Sequence, residues 1–264
     1  MINNLIMKKI IYLILCMSFL ITSCEMFEID NYEAYNASIS GTFLDASTGE
    51  NVGQETVYNN LFGGNITSRT SGFISATELG WDYEKAQYWL VKYDGSYTNT
   101  QIFSGTYRLE AKENNFYPLI MDEVTLEKGS NTLDWTVTPY IRVIDPEIIF
   151  DTSVNKFKAT FKLQYGDASK ANSVFKAVLA CYPDKFVGVH LNNCDLDPEA
   201  SMSNGVVVDG TTINTLFIDP QNPNNSTEFT YSRTHYFRIA VCAVGDGHNT
   251  SRHYNYSPII GIDY

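Results

Sequence analysis

The segment LDWTVTPYIRV, residues 133–143, alternates apolar and polar side chains. Leu133, Trp135 and Val137 fall on one side and polar residues fall on the other, which is the period-two pattern of a half-buried β-strand. This register predicts that Trp135 lies in a hydrophobic core. The same segment leads into a second apolar run, TPYIRVIDPEIIFD, and we place a boundary between two domains near Thr138–Pro139.

On both sides of this segment, from Asn36 onward, the chain consists of short alternating runs separated by turn residues. The run ASISGTFLDASTGE, residues 37–50, ends in small polar residues and a glycine, which suit a tight reversal. No long segment has the helical period. The sequence therefore predicts an all-β chain.

The run YFRIAVCAVGDG, residues 236–247, has the same period in the second half of the chain. Phe237, Ile239, Val241 and Ala243 share one face of the predicted strand. The opposite face carries Tyr236, Arg238, Ala240 and Cys242.

The first residues of the chain have a different character. An apolar stretch over residues 10–21 follows two lysines and is shorter than the roughly 20 residues that a membrane-spanning helix needs, so it indicates a secretory signal. The residues before Cys24 resemble the lipobox of bacterial lipoproteins. That resemblance implies a signal peptide over residues 1–23, a lipidated Cys24 and an acidic tether over residues 24–35, with an ordinary cleaved signal as the alternative.

The charge of the chain restricts its partners. With Lys8 and Lys9 removed alongside the signal, 16 basic residues remain against 30 acidic ones, a net charge of −14. Such a surface repels nucleic acid, so we expect no nucleic-acid partner.

Three motifs in order carry a family resemblance in the first half: GTFLDASTGE, SGTYRLEA and LEKGSNTLDWTV. They resemble the carboxypeptidase-regulatory-like modules, which implies a transthyretin-like β-sandwich over residues 36–138. The strand at residues 236–247 and the following RHYNYSPIIGIDY resemble the last two strands of a fibronectin type III module. This second resemblance implies another β-sandwich over residues 139–264.

The two modules behind a lipobox resemble a domain-of-unknown-function family of Bacteroidetes lipoproteins that is encoded beside outer-membrane glycan importers and their substrate-binding lipoproteins. The acidic stretch after Cys24 resembles the surface-export signal of such lipoproteins. The resemblance implies an outer-membrane, surface-facing protein with a polysaccharide or oligosaccharide ligand, and an importer and its binding lipoprotein as partners. It brings no established set of binding residues.

Binding residues must then be sought among aromatic side chains, because the apolar faces of pyranose rings stack on them. Trp81 follows a glycine that suits a loop and is flanked by Asp82 and Tyr83. A second candidate platform is formed by Tyr254, Asn255 and Tyr256, which we place in a loop between the last two strands.

No constellation of catalytic residues stands out. The chain has no Gly-x-Ser-x-Gly elbow, and nothing singles out one carboxylate pair among 30 acids. We therefore expect no catalytic residues, no metal site and no cofactor, and a protein that is not an enzyme. A structural or fimbrial-type subunit is the alternative function, although no Lys or Arg lies between Cys24 and the first strand to serve as a processing site.

Three cysteines remain after Cys24, and an exported compartment permits a disulfide. The fibronectin-like layout makes a cross-strand bond between Cys181 and Cys242 conceivable. A Cys181–Cys194 bond across a loop and free, half-buried thiols are the alternatives.

Overall fold

A computed structural model describes residues 34–55, 72–112, 114–170, 174–225, 227–243 and 253–264. Residues 37–264 belong to one compact unit. The predicted signal peptide, Cys24 and most of the predicted acidic tether lie outside the described residues. No helix within the described ranges is long and apolar enough to cross a membrane.

The described chain is almost entirely β-structure, which confirms the all-β prediction. Its first eight strands are β1 Ala37–Asp45, β2 Phe73–Glu78, β3 Ala86–Leu90, β4 Ser96–Ile102, β5 Gly105–Ala111, β6 Leu119–Leu126, β7 Gly129–Thr132 and β8 Trp135–Val137. The second eight are β9 Ile141–Asp151, β10 Lys156–Tyr165, β11 Val174–Tyr182, β12 Ser201–Met202, β13 Asn214–Ile218, β14 Thr234–Ala243, β15 Tyr254–Tyr256 and β16 Ile260–Asp263.

Strands β1 to β8 form two sheets, which we call together the N-terminal module. One sheet has the order β4-β1-β7 with β8 also paired to β1, and the other has the order β3-β2-β5-β6. Their inner faces enclose one hydrophobic core in which the Phe43 ring lies 5.5 Å from that of Trp135. Trp135 is fully buried, as its alternation predicts.

Strands β9 to β16 form the C-terminal module, also from two sheets. One has the order β13-β10-β9, and the other has the order β12-β11-β14-β15 with β16 also paired to β14. The second core lies between them, and the predicted face of β14 points into it through Phe237, Ile239, Val241 and Ala243. The opposite face of β14 is buried as well, because Ala240 and Cys242 pack with Val178 and Tyr254 in a smaller cluster.

Candidate functional site

Residues 79–85 form an aromatic loop between β2 and β3. The loop is fixed at its start, where the Leu79 amide donates to the Thr106 carbonyl at 2.8 Å. Gly80 follows with a φ of 94°, a conformation that a glycine adopts without strain. Its amide donates to the Glu84 carboxylate at 3.4 Å. The loop is thus braced by bonds at its base while its tip projects into solvent.

The tip of the aromatic loop presents two rings. Trp81 is 61% exposed and Tyr83 is 83% exposed. The side chains beside them, those of Asp82, Glu84 and Lys85, are exposed and polar. Large aromatic surfaces that remain in water are available for stacking, and the neighbouring charged groups can bond hydroxyls.

The edge strand β3 extends this surface. Tyr88 and Leu90 are partly exposed, whereas Trp89 between them is buried in the core of the N-terminal module. The candidate platform therefore consists of Trp81 and Tyr83, with Tyr88 farther along the strand.

A separate cleft with a volume of about 730 Å³ opens where the two modules meet. This volume falls within the range of small-molecule sites. Its walls combine a turn of the N-terminal module with β9 and β15, and the lining side chains include Glu50, Asn51, Tyr93, Asp94 and Arg142.

Most polar groups of the cleft walls are already paired. Arg142 makes two hydrogen bonds to Asp45, at 2.5 and 2.8 Å. Arg238 is buried and donates to the backbone carbonyls of Gln54, Tyr93 and Ser257. Burial lowers the pKa of Arg238 to about 10. These pairs hold the two modules together, so the exposed rim is the part of the cleft that can offer free groups to a ligand.

The second predicted platform differs from the expectation. Tyr254 and Asn255 are buried, and both lie with Tyr256 on β15, paired to β14, and not in an open loop. The side-chain nitrogen of Asn255 donates to the Asn115 backbone carbonyl at 2.8 Å. Its side-chain oxygen accepts from the Ile141 backbone amide at 3.2 Å. The Tyr256 hydroxyl donates to Glu55 at 2.5 Å, and burial raises the pKa of Tyr256 well above its ordinary value. All three residues join the modules, since the Tyr254 carbonyl accepts from the Asn115 side chain, and Asn255 and Tyr256 line the cleft.

The possible bond between Cys181 and Cys242 is not formed, because Cys181, Cys194 and Cys242 are buried and none of them is in a disulfide. Cys181 pairs across the sheet with Phe237, whereas Cys242 pairs with Lys176. The two thiols also face different clusters, Cys181 the main core and Cys242 the smaller one. Strands β11 and β14 are neighbours, as expected. The strand register and the opposite orientation of the two side chains exclude a disulfide between Cys181 and Cys242.

The C-terminal module contains a buried polar cluster that the sequence did not predict. It contains Cys181, Glu228 and His235, each offering one donor atom within 4.8 Å of the others, and it is the single group of this kind among the described residues. The His235 Nδ1 atom lies 2.6 Å from Glu228 Oε1. Because Cys181 lies far in sequence from Glu228 and His235, no spacing motif indicates the cluster.

Comparisons with known proteins agree with this architecture. Residues 37–138 match the N-terminal domain of DUF3823, described as a protein of unknown function. No curated protein matches the chain. Among solved structures, a Bacteroides uniformis protein provisionally described as a carbohydrate binding protein aligns with a TM-score of 0.74 and 28% identity, over 87% of this chain and 100% of its own.

Two further solved structures are DUF3823 family proteins. The one from Parabacteroides merdae aligns with a TM-score of 0.64 and 17% identity, over 87% of this chain and 100% of its own. The one from Bacteroides ovatus aligns with a TM-score of 0.64 and 19% identity, over 86% of this chain and 98% of its own. At such identities the likeness concerns the fold. Residues 37–138 thus match the DUF3823 N-terminal domain, and a second β-module follows them in the same chain.

Proposed function

We propose that the protein is a surface-exposed, lipid-anchored glycan-binding protein, or an accessory binding protein, of a polysaccharide-uptake system. The observation that carries the proposal is the pair of solvent-exposed rings, Trp81 and Tyr83, on a braced loop at a sheet edge. The similarity to the Bacteroides uniformis protein described as carbohydrate binding supports the same reading.

Stacking is the interaction that these rings suit. A pyranose ring has an apolar face of C–H groups, and placing it on an indole removes apolar surface of both partners from water. The carboxylates of Asp82 and Glu84 can then accept hydrogen bonds from sugar hydroxyls, and the Lys85 ammonium can donate to sugar oxygens. The site binds and orients a sugar chain, and we propose that it does not cleave one.

The charge of the protein favours neutral glycans. With 16 basic residues against 30 acidic ones outside the signal, the surface disfavours polyanions such as polyuronates. Acylation of Cys24 would hold the binding module at the outer membrane, because several acyl chains on one residue give stable anchoring. An outer-membrane importer and its substrate-binding lipoprotein are the partners that this location implies.

The proposal is tested by calorimetry on the chain from Glu25 onward against neutral and acidic polysaccharides. We expect binding to one neutral class, and an affinity reduced at least about tenfold in Trp81→Ala, since loss of a stacking partner worth about 1.4 kcal/mol gives that factor. Trp81→Phe should keep part of the affinity.

Tyr231→Ala is the matched control, because Tyr231 is 72% exposed but lies in the C-terminal module. Its affinity should equal that of the wild type. Unchanged affinity in Trp81→Ala together with a loss in Asn51→Ala would move the site to the cleft. If no polysaccharide of the panel produced binding heat, direct glycan binding would be contradicted and a structural or scaffold role would be favoured.

A further inference from the structure

We propose that Cys181, Cys194, Glu228 and His235 form a closed structural site for a zinc ion within the C-terminal module. All four residues are fully buried. The inference is independent of glycan binding, because these residues lie in the C-terminal module and the aromatic loop lies in the N-terminal module.

The donor set is that of a zinc site. Thiolate, imidazole and carboxylate are the groups that bind zinc in proteins, and four ligands with no open position characterise a structural site. The donors of Cys181, Glu228 and His235 lie within 4.8 Å of one another. Ligands around one zinc ion stand roughly 3.3–3.8 Å apart, so closure onto the metal requires shifts of about 1 Å.

We assign Cys194 as the fourth ligand because it interacts with the Cys181 thiol; its sulfur lies outside the group of three donors within 4.8 Å of one another and would have to move toward the metal. Its thiol lies within hydrogen-bonding reach of the Cys181 thiol. The two backbones are fixed together, because the amides of Cys181 and Cys194 both donate to the side-chain oxygen of Asn192, each at 3.0 Å. Burial, followed by the hydrogen bond to Cys194, raises the pKa of the Cys181 thiol well above its ordinary value.

The groups around the donors complete the site. The Asn193 amide donates to Glu228 at 2.6 Å, and the Arg233 guanidinium lies 3.7 Å from the same carboxylate. Two thiolates, one carboxylate and a neutral imidazole around Zn²⁺ leave one negative charge, which Arg233 balances. Such outer partners orient metal ligands in known sites.

A simple buried hydrogen bond between Glu228 and His235 explains less. The contact between Glu228 and His235 is complete in itself, but it does not account for two thiols beside the pair. It also leaves the Nε2 atom of His235 buried without a hydrogen-bond partner. Zinc binding is balanced by release of the two thiol protons, and of any proton on the coordinating nitrogen, to solvent.

The site would also stabilise a connection that has little regular secondary structure. Between β11 and β12, residues 183–200 contain only one short helical turn, Pro198–Ala200. Zinc would cross-link this connection, through Cys194, to β11, to β14 and to the turn that carries Glu228.

The test uses the chain from Glu25 onward, unfolded with reductant and chelator and refolded with zinc or cobalt alone. We expect about one zinc per chain by mass spectrometry, and a thiolate-to-cobalt charge-transfer band in the near ultraviolet. Cys181→Ser should lose the metal and the band. Cys242→Ser is the matched control, because Cys242 is equally buried outside the cluster, and it should keep both.

If Cys181→Ser does not fold, the cobalt spectrum of the wild type decides. A natively folded wild type that binds neither metal overturns the proposal, as does an unchanged metal content in folded Cys181→Ser. A disulfide between Cys181 and Cys194 in protein purified without reductant, with no metal uptake after its reduction, also overturns it.

Discussion

The guanidinium carbon of Arg238 lies 4.1 Å from the centroid of the Tyr256 ring, and the same side chain donates to two carbonyls of the N-terminal module, those of Gln54 and Tyr93. A single buried cation thus joins β14 and β15 to the other module. Tyr256 reaches across in turn, through its hydrogen bond to Glu55. The junction between the modules is therefore polar and hydrogen-bonded at its centre.

We expect Arg238→Met to lower the free energy of unfolding by about 3–5 kcal/mol, because two buried carbonyls and one partly buried carbonyl lose their donor. Urea denaturation measures the change. Arg108→Met is the control, since Arg108 lies on the surface of β5 with a side chain 47% exposed, and it should change stability by less than about 0.5 kcal/mol. Equal effects of the two substitutions would mean that the junction does not depend on Arg238.

Gly41 tests how closely β1 approaches the connection between β7 and β8, which contains Leu133. A Cβ atom at Gly41 would lie 1.8 Å from the Leu133 carbonyl oxygen, a distance that the backbone cannot accept. Gly41→Ala should therefore destabilise the protein by roughly 1–3 kcal/mol or more in urea denaturation. At Gly105 the nearest atom is the end of the Glu78 side chain, at 3.3 Å, so Gly105→Ala should be nearly neutral. If Gly41→Ala left the stability unchanged, the close approach of Gly41 to the Leu133 carbonyl would be contradicted.

Tyr97 is expected to make stability depend on pH in alkaline solution. Its hydroxyl donates to the Leu133 carbonyl at 2.6 Å and accepts from the Trp135 indole at 3.2 Å, and burial raises its pKa to about 12. Below about pH 10 the phenol is neutral in both states. Between about pH 10 and 12 the unfolded chain loses the proton while the folded chain keeps it, so this contribution to stability falls as pH rises.

Comparison of the wild type with Tyr97→Phe isolates this effect, because the other titrating groups are common to both chains. The variant should be less stable by about 1–3 kcal/mol near neutral pH, where it leaves the indole and the carbonyl unpaired. Its stability should then fall less steeply between about pH 10 and 12. Tyr231→Phe, on the surface, should follow the wild type, and parallel pH profiles for wild type and Tyr97→Phe would show that Tyr97 does not titrate as expected.

The fold was predictable where burial follows a period of two. The alternation around Trp135 and along β14 assigned core faces correctly, because a half-buried strand must place every second side chain inward. The pattern did not reveal what covers the second face of β14. Arg238 lies on that face and is buried by the other module, a contact between residues far apart in sequence.

The candidate site was predictable only in part. Trp81 and Tyr83 are exposed in a loop, as expected from a glycine followed by aromatic and charged residues. Tyr254 to Tyr256 were misplaced because a three-residue strand buried on both faces has no alternation to read. The cluster of Cys181, Glu228 and His235 could not be found from spacing, since strand pairing brings it together.

The contact between Asp45 and Arg142 provides the last test, because it joins the modules and also lines the cleft. Their side chains are only 7% and 12% exposed, and the two hydrogen bonds are parallel. Removing either partner leaves a mostly buried charge, so Asp45→Asn and Arg142→Met should each cost roughly 2–4 kcal/mol. The double variant should lose less than the sum, by about 1–3 kcal/mol.

The exposed pair of Arg108 and Asp122, 3.5 Å apart, is the control cycle, and its coupling should stay below about 0.5 kcal/mol. A coupling as small for Asp45 and Arg142 would contradict a buried bidentate pair. The same variants separate the two candidate binding surfaces. If glycans bind at Trp81, a folded Asp45→Asn protein keeps wild-type affinity in calorimetry. If they bind in the cleft, the affinity should change, because the cleft wall loses a carboxylate.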